Sequence, residues 1–308
     1  MEFPQQSRKL AAITVIASVG LASAQDAIVK GVSHDLPAYE AVIFRGLVST
    51  PILLAFLLWR GGAGKIWPQQ PGLVALRSLI LCSAYFAFVL SIATLPIATS
   101  VSIYFIMPFI VAALAGRGLG ETVKPHRWIA ISIAFAGMII MVHPGSAAFQ
   151  PAALLALYSA VGYAIGQMIG RHLALRMEPA VIANWQNFFY LAVALLIGLL
   201  VPFAKSASIS NPSLAFLLRD WTWPNMEQTL LLSAMGVLSA LASLGYIHAY
   251  RLAEANFVAP FEYTALLWAI GYGVVFFGDV PDAANLIGAG VVICAGVWML
   301  RKDQQLST

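Results

Sequence analysis

Charged residues are scarce in this 308-residue chain, and their scarcity limits what kind of protein it can be. Asp, Glu, Lys and Arg make up 10% of it, against about 25% in an average soluble protein. Hydrophobic residues make up 60% and fall in blocks of about 20, the helix length that crosses a hydrocarbon core of about 30 Å. This composition argues against a water-soluble fold and predicts an all-α integral membrane protein.

Reactive and metal-binding residues are also few, which argues against most enzymes. The two cysteines, Cys82 and Cys294, lie inside apolar blocks, so neither a disulfide framework nor a Cys-rich metal site is indicated. The five histidines are scattered, and no zinc-protease, nucleophile-elbow or Walker motif occurs. An intramembrane aspartyl protease needs two facing aspartates, and only Asp26 lies within an apolar block. We therefore expect no cofactor and no metal.

Ten apolar segments are predicted to cross the membrane as helices. They lie near 10–32, 37–59, 73–93, 97–115, 128–143, 152–170, 179–203, 229–250, 257–277 and 283–300. The first could be read as a signal peptide ending at Ala24, but its apolar run continues to Val32, so we interpret it as a span.

The basic residues predict the orientation of these spans. If Arg8 and Lys9 face the cytoplasm, twelve of the seventeen Lys and Arg residues lie in cytoplasmic segments. The sequence thus predicts a multi-pass protein of the cytoplasmic (inner) membrane with both termini in the cytoplasm. Because the net charge of +4 is spread over short connectors, no nucleic-acid partner is indicated.

The chain contains an internal repeat. A shift of 142 positions superposes three residues of the first half on identical residues of the second: Gly20 on Gly162, Gln25 on Gln167, and Pro37 on Pro179. A shift of 158 superposes Gly120-Glu121 on Gly278-Asp279. The predicted units are residues 1–146 and 147–308, with five helices each. Since five is odd, the second unit enters the membrane from the opposite side, which makes an inverted repeat of the kind that secondary transporters use.

These features resemble the drug/metabolite transporter superfamily, in particular a tandem pair of EamA-type units. Each such unit ends with a Gly-acid dipeptide and a glycine-bearing apolar helix, and Gly278-Asp279 departs from the pattern by using Asp. The run from Asp26 to Arg45, Leu76-Arg77 and the segment 259–263 are similar to members that take up S-adenosylmethionine or riboflavin. Other members with this level of resemblance export amino acids. The resemblance implies a ten-helix transporter but leaves its substrate open.

Ionisable residues inside predicted spans are candidates for substrate binding or coupling, because a charge in the bilayer costs at least a few kcal/mol. They are Asp26, Lys30, Glu40, Arg45 and Glu262. Arg45 lies near mid-membrane, where it could bind a substrate carboxylate or phosphate. The alternative is a permanent ion pair with Asp26 or Glu40. Glu262 follows Pro260, which loosens a helix, so it could bind substrate or a proton, or instead remain hydrated near the cytoplasmic interface.

Polar and aromatic residues at helical spacing complete the candidate site. They are Tyr85, Tyr104, Trp185, Gln186, Tyr246 and Trp268. Hydroxyl groups that face lipid would be unpaired, so this set is predicted to face a cavity between helices. Arg77 is explained more simply as a side chain that reaches up to the membrane surface.

The sequence predicts a secondary transporter that moves a small organic metabolite by alternating access. The expected substrate is amphiphilic, ring-bearing or amino-acid-like, and the buried carboxylates suggest proton coupling. The alternatives are a receptor or scaffold that does not transport and, less favoured, an intramembrane enzyme. Import or export, and a monomer or a homodimer, are all compatible with the sequence.

Overall fold

The computed structural model describes residues 5–32, 35–61, 66–92, 124–142, 151–203, 216–278 and 283–305, together with seven positions between 103 and 114. Within these residues the chain is helical and no strand occurs, so the predicted all-α class is confirmed there. The predicted span at 97–115 lies largely outside the described residues. The count of ten spans therefore stays a prediction.

The helices follow the predicted spans closely. They are α1 (Gln5–Val32), α2 (Ala38–Gly61), α3 (Pro71–Ile92), α4 (Pro125–Val142), α5 (Pro151–Ala174), α6 (Pro179–Leu200), α7 (Met226–Leu252), α8 (Ala265–Phe277) and α9 (Ala283–Gln305). Among the described residues, six helices are long and apolar enough to cross a membrane, namely α1, α2, α3, α5, α6 and α7. The protein is thus a multi-pass membrane protein.

The ends of several helices are fixed by local sequence. Proline occupies the first position of α3, α4, α5 and α6, where its missing N–H costs no hydrogen bond. Helix α7 begins with a capping box in which Asn225 and Gln228 bond each other's backbone N–H groups. Helix α8 ends at Gly278, whose φ of 69° places it in the left-handed region that favours glycine.

The helix predicted at 257–277 is not continuous, and this corrects the sequence interpretation. A short helical turn, Ala255–Val258, is followed by a 3₁₀ segment, Ala259–Thr264, before α8 begins. Pro260 lies at the start of the 3₁₀ segment, where proline restricts the backbone and cannot donate a hydrogen bond. The predicted loosening beside Glu262 is confirmed.

The helices pack in equivalent pairs. The most extensive contacts join α1 to α7, α5 to α3, α2 to α6, and α4 to α9. Under the repeat found in the sequence, α1 corresponds to α5 and α3 to α7. The contacts α1–α7 and α5–α3 are therefore counterparts, while α2 packs against its own counterpart α6.

Candidate functional site

A cavity of about 210 Å³ lies among α1, α2, α3, α5, α6 and α7. It is therefore lined by both repeats. Seven of the eleven candidate residues line it: Asp26, Arg45, Tyr85, Tyr104, Gln186, Tyr246 and Glu262. The structure brings these seven residues together from seven separate parts of the chain.

Arg45 projects from α2 into this cavity and is only 6% exposed. The Cζ atom of its guanidinium lies 4.8 Å from the Tyr85 ring centroid and 4.9 Å from that of Tyr190, which is within cation–π range. Its Nε is buried without a hydrogen-bond partner. No ion pair of Arg45 is found among the described residues. The structure therefore contradicts the alternative in which Arg45 forms a permanent ion pair with Asp26 or Glu40.

Helix α7 approaches α2 closely beside Arg45, and a glycine permits the approach. A Cβ added to Gly236 would lie 2.5 Å from the Cβ of Val48 and 2.9 Å from the backbone oxygen of Arg45. Both atoms belong to the rigid part of α2, so a larger side chain would push the helices apart. This contact fixes the backbone from which Arg45 enters the cavity.

Asp26, near the end of α1, also lines the cavity and is exposed to it. It lies close enough to Arg45 for an electrostatic interaction. The two side chains nevertheless form no ion pair within 4.0 Å among the described residues. Opposite charges thus face one cavity without touching.

Glu262, in the 3₁₀ segment, is 4% exposed and lines the cavity. The hydroxyl of Tyr250 donates a 2.5 Å hydrogen bond to its Oε1. The alternative in which Glu262 stays hydrated at the cytoplasmic interface is therefore wrong. Because the helix is broken at Pro260, this carboxylate points between helices.

Arg77 is buried, which corrects its interpretation as a side chain that reaches the membrane surface. It is 2% exposed, and its Nε donates to the backbone oxygen of Gly166 at 3.0 Å. Its NH1 group donates to Oε1 of Gln186 at 2.5 Å. A Cβ on Gly170 would lie 2.7 Å from the Arg77 Nε, so glycine makes room for the guanidinium. Arg77 is a cavity residue that the sequence analysis missed.

Tyrosine rings form much of the cavity wall. The Tyr104 and Tyr163 rings lie 5.6 Å apart, and those of Tyr85 and Tyr190 lie 5.8 Å apart. These distances are typical of contacts between aromatic rings. Tyr163 and Tyr190 were not among the predicted residues. A substrate in the cavity would meet ring faces and hydroxyl groups.

The internal repeat contained a signal for further cavity residues. Gln25 and Gln167 superpose in the repeat, as do Arg45 and Asn187, and all four line the cavity. The Oδ1 of Asn187 accepts a 2.9 Å hydrogen bond from Ser49 of α2. Equivalent positions in the two units thus face the same space, and the repeat relates the predicted residue Arg45 to a second cavity residue, Asn187.

The two predicted tryptophans lie away from the cavity lining. The Nε1 of Trp185 donates to the backbone oxygen of Ile66 at 2.9 Å, in the segment between α2 and α3. The Nε1 of Trp268 donates to the backbone oxygen of Ile16 at 3.2 Å, and its ring packs on Gly20. Trp185 therefore contacts the connector between α2 and α3, where its ring also lies 5.2 Å from that of Trp67, and Trp268 joins α8 to α1.

Lys30 and Glu40 also lie outside the lining. Lys30 is in the last turn of α1. Glu40 is fully buried at the start of α2, where its Oε2 accepts a 3.1 Å hydrogen bond from the backbone N–H of Thr222. The contact attaches the 216–225 segment to α2, while the other carboxylate oxygen, Oε1, is buried without a hydrogen-bond partner among the described residues. Glu40 does not compensate the charge of Arg45.

An ion-paired cluster lies near the N-terminal end of α1. It is called here the basic end cluster and consists of Arg8, Arg127, Glu254 and Phe257. Arg8 NH2 lies 2.6 Å from Glu254 Oε1, and Arg127 NH2 lies 3.9 Å from Glu254 Oε2. Both guanidiniums also lie within 6 Å of the Phe257 ring, at 5.9 and 5.5 Å. The Phe257 side chain is 1% exposed, so the cluster is packed around a buried ring.

Within the described residues, no group of three or more His, Cys, Asp and Glu side chains is placed to hold a metal ion. The polar groups of the cavity are Arg, Asp, Glu, Gln, Asn, Ser and Tyr side chains. Such groups suit the recognition of an organic molecule through hydrogen bonds, charge and ring contacts.

The comparison with protein families settles the class of protein. The profile of the EamA-like transporter family matches residues 9–143 and 150–301. The chain belongs to the EamA-like transporter family. Like the rest of that family within the drug/metabolite transporter superfamily, it is a membrane transporter of small metabolites and not an enzyme.

Curated relatives match this EamA-like chain over most of their length. An S-adenosylmethionine uptake transporter of Rickettsia bellii is 23% identical over 92% of this chain and 90% of its own. A pseudopaline exporter of Pseudomonas aeruginosa is 28% identical over 92% of this chain and 93% of its own. A crystal structure of a protein with 17% identity covers 99% of this chain and 100% of its own with a TM-score of 0.75. That likeness concerns the fold alone.

Proposed function

We propose that the cavity is the substrate site of a secondary transporter that works by alternating access. The observation that carries the proposal is Arg45, a buried cation that faces the cavity, lies against two tyrosine rings and has no carboxylate partner among the described residues. A cation held in this way is a binding site for an anionic group, since Arg pairs with carboxylate or phosphate through directed N–H groups. The substrate is a small organic metabolite that is amphiphilic, ring-bearing or amino-acid-like.

The architecture that we propose is ten spans in two inverted units, residues 1–146 and 147–308. The paired contacts α1–α7 and α5–α3 support it, because a two-fold relation between the units exchanges them. The equivalent cavity residues Gln25 and Gln167 support it as well. Two related units can exchange their packing arrangements, and this exchange moves the opening of the cavity from one side to the other.

The orientation that we propose places both termini in the cytoplasm of the cell and the chain in the cytoplasmic (inner) membrane. The basic end cluster lies on the side of the N-terminus, about 16 Å from Val19 of the cavity along α1, at a rise of about 1.5 Å per residue. In this proposal, the cluster closes the cavity toward the cytoplasm, and its ion pairs with Glu254 support that assignment. The ion pairs of Arg8 and Arg127 with Glu254 separate when the transporter opens inward.

Coupling to protons is part of the proposal and rests on Glu262. Its carboxylate is buried, lines the cavity and is held by Tyr250. When the transporter changes conformation, a carboxylate in such a place is either charged or protonated. Only the protonated form avoids the free-energy cost of an isolated charge inside the membrane. The names of the relatives include both uptake and export, and they give no single direction.

A pair of neighbouring substitutions tests whether the cavity binds the transported compound. Ala242 is buried and lines the cavity, whereas Leu241 is 49% exposed on the outer surface of α7. We expect Ala242→Trp to fill the cavity and abolish both uptake and ligand-induced thermal stabilisation, while Leu241→Trp keeps both. The measurements are uptake into proteoliposomes and thermal unfolding of the purified protein with amino acids, S-adenosylmethionine, nucleosides, riboflavin and cationic drugs.

The profile from size-exclusion chromatography and the unfolding midpoint without ligand establish that the Ala242→Trp protein is folded. Saturable uptake by a folded Ala242→Trp protein, at the rate of the Leu241→Trp protein, would place the substrate elsewhere. If no compound in the panel bound or crossed the membrane, the proposed substrate classes would be wrong.

A further inference from the structure

We infer that Tyr250 is a positioning residue, which links the cavity carboxylate of Glu262 to the basic end cluster and holds that cluster closed. This role rests on the proposed function, because it takes the basic end cluster as the cytoplasmic closure of the cavity. What it adds is the contact through which occupancy of the cavity reaches that closure.

Tyr250 lies in the last turn of α7 and is 1% exposed. Its hydroxyl donates to Oε1 of Glu262, a residue of the cavity lining, at 2.5 Å. Tyr246, one turn earlier on the same helix, also lines the cavity. The last two turns of α7 thus lie beside the cavity, and Tyr250 attaches them to one of its carboxylates.

The Tyr250–Glu262 hydrogen bond joins two residues that are twelve positions apart in the chain. Between them α7 ends, one residue is extended, and a short helical turn leads into the 3₁₀ segment. The bond therefore closes the base of a segment, residues 253–261, which is called here the gate loop. Glu254 and Phe257, two of the four members of the basic end cluster, lie in this loop.

Ion pairs from two other helices hold the far side of the gate loop. Arg8 of α1 donates to both carboxylate oxygens of Glu254, from NH2 at 2.6 Å and from Nε at 3.3 Å. Arg127 of α4 lies 3.9 Å from the same carboxylate. A guanidinium presents its N–H groups in a rigid plane, so the paired bonds from Arg8 need Glu254 at a fixed position and angle. A shift of the gate loop therefore weakens them.

Arg171 of α5 fixes the α7 side of this contact. It is 3% exposed, and its NH1 group donates to the backbone oxygens of Tyr250 at 2.5 Å and Arg251 at 3.3 Å. These oxygens belong to the last turn of α7, where backbone carbonyls have no partner within the helix. Because α5 holds the end of α7 in place, loss of the Tyr250–Glu262 bond releases the gate loop and leaves the helix where it is.

Glu262 is the end of this link that a bound molecule can reach, because it lines the cavity. A hydrogen-bond donor on that molecule competes with the Tyr250 hydroxyl for the carboxylate. When the carboxylate turns toward the molecule, the base of the gate loop is no longer closed, and Glu254 separates more readily from Arg8. Tyr250 thus keeps the basic end cluster closed until the cavity is occupied.

Hydrogen exchange of the purified protein tests this link without any ligand. The backbone N–H groups of Phe257 and Val258 both donate to the backbone oxygen of Glu254. We expect these two amides to exchange at least about tenfold faster in Tyr250→Phe than in the unmodified protein, as is typical when a hydrogen bond to a charged group is lost. Exchange in the middle of α7, residues 232–244, should be unchanged.

Tyr272→Phe is the matched control for this experiment. The Tyr272 hydroxyl also donates a hydrogen bond, to the backbone oxygen of Gly20 at 3.0 Å, in the contact between α8 and α1. Its removal takes away the same chemical group from a different helix contact. Exchange at Phe257 and Val258 should therefore equal that of the unmodified protein.

Two variants of Glu262 and one of Arg8 make the test specific to the link. Glutamine can still accept the bond from Tyr250, so Glu262→Gln should keep exchange in the gate loop slow, whereas Glu262→Ala should exchange about as fast as Tyr250→Phe. Arg8→Ala removes the ion pair at the far side. Because the two contacts hold one loop, Tyr250→Phe combined with Arg8→Ala should exchange about as fast as the faster single variant, whereas independent effects would multiply.

Three outcomes would overturn the inference. They are unchanged exchange at Phe257 and Val258 in folded Tyr250→Phe protein, a faster exchange that extends equally to the middle of α7, and effects of Tyr250→Phe and Arg8→Ala that multiply. If Tyr250→Phe does not fold, Glu262→Ala tests the same bond. None of these results involves a substrate, so the proposed function would stand; normal uptake by folded Ala242→Trp protein is what would contradict that function.

Discussion

Replacement of Arg45 by alanine is expected to reduce substrate affinity and uptake about 10- to 150-fold, since loss of a charge-assisted, water-excluded contact costs about 1.5–3 kcal/mol. The guanidinium faces the cavity with its Nε unpartnered. No ion pair within 4.0 Å among the described residues is broken when Arg45 is removed. The protein should therefore insert and fold normally.

Two further variants make this prediction specific. Arg45→Lys keeps the charge but loses the planar fork and its contacts with the Tyr85 and Tyr190 rings, so it should restore only part of the affinity. Arg176→Ala removes an exposed arginine outside the cavity and should behave as the unmodified protein does. Normal uptake kinetics in purified Arg45→Ala protein would show that the substrate anion binds elsewhere.

Replacement of Glu262 by glutamine is expected to remove the response of transport to an imposed pH gradient. Glutamine keeps the size and can accept the hydrogen bond from Tyr250, but it cannot gain or lose a proton. Uptake into proteoliposomes with and without a gradient measures the effect. In the unmodified protein a gradient of one pH unit should change the initial rate several-fold. Movement of one proton down such a gradient releases about 1.4 kcal/mol, which corresponds to a factor on the order of 10.

The control for this experiment is Glu227→Gln, because Glu227 is exposed in the first turn of α7 and lies outside the cavity lining. Its gradient response should equal that of the unmodified protein. Substrate binding at equilibrium in the absence of a gradient should persist in the Glu262→Gln protein. A full gradient response in Glu262→Gln would exclude this carboxylate as the coupling group.

The cost of burying charge made three cavity residues predictable. Asp26, Arg45 and Glu262 were chosen because ionisable groups inside spans are rare and need a reason, and all three line the cavity. The depth of a residue along a span can be read from the sequence. The selection of ionisable residues inside spans therefore identifies a cavity residue when its depth in the membrane is sufficient to predict its role, as for Arg45 near mid-membrane.

The rotation of a helix about its axis cannot be inferred from the sequence as depth can. For this reason the two predicted tryptophans do not line the cavity. Trp185 and Gln186 are neighbours on α6, yet Gln186 lines the cavity and Trp185 bonds to Ile66. Successive residues on a helix point about 100° apart, and a membrane helix carries apolar residues on every face. The hydrophobic pattern therefore does not indicate which side faces the cavity.

Arg77 was misread for a related reason. Its position one and a half turns into α3 is compatible with reaching the membrane surface. The partners that keep it buried, the Gly166 backbone and Gln186, belong to other helices. Such contacts depend on tertiary packing, and only the glycine at 170 hinted that a large side chain approaches α5 there.

The most direct test of the cavity as substrate site is protection of a cavity cysteine from alkylation. Ser243 lines the cavity, whereas Asp35 is exposed outside it. Ser243→Cys and Asp35→Cys would each be made in a protein whose Cys82 and Cys294 are replaced by serine. The rate of reaction with a maleimide is then measured with and without the compound that stabilises the protein most. We predict that this compound slows labelling at 243 several-fold and leaves labelling at 35 unchanged, whereas equal rates at 243 with and without the compound would contradict the account.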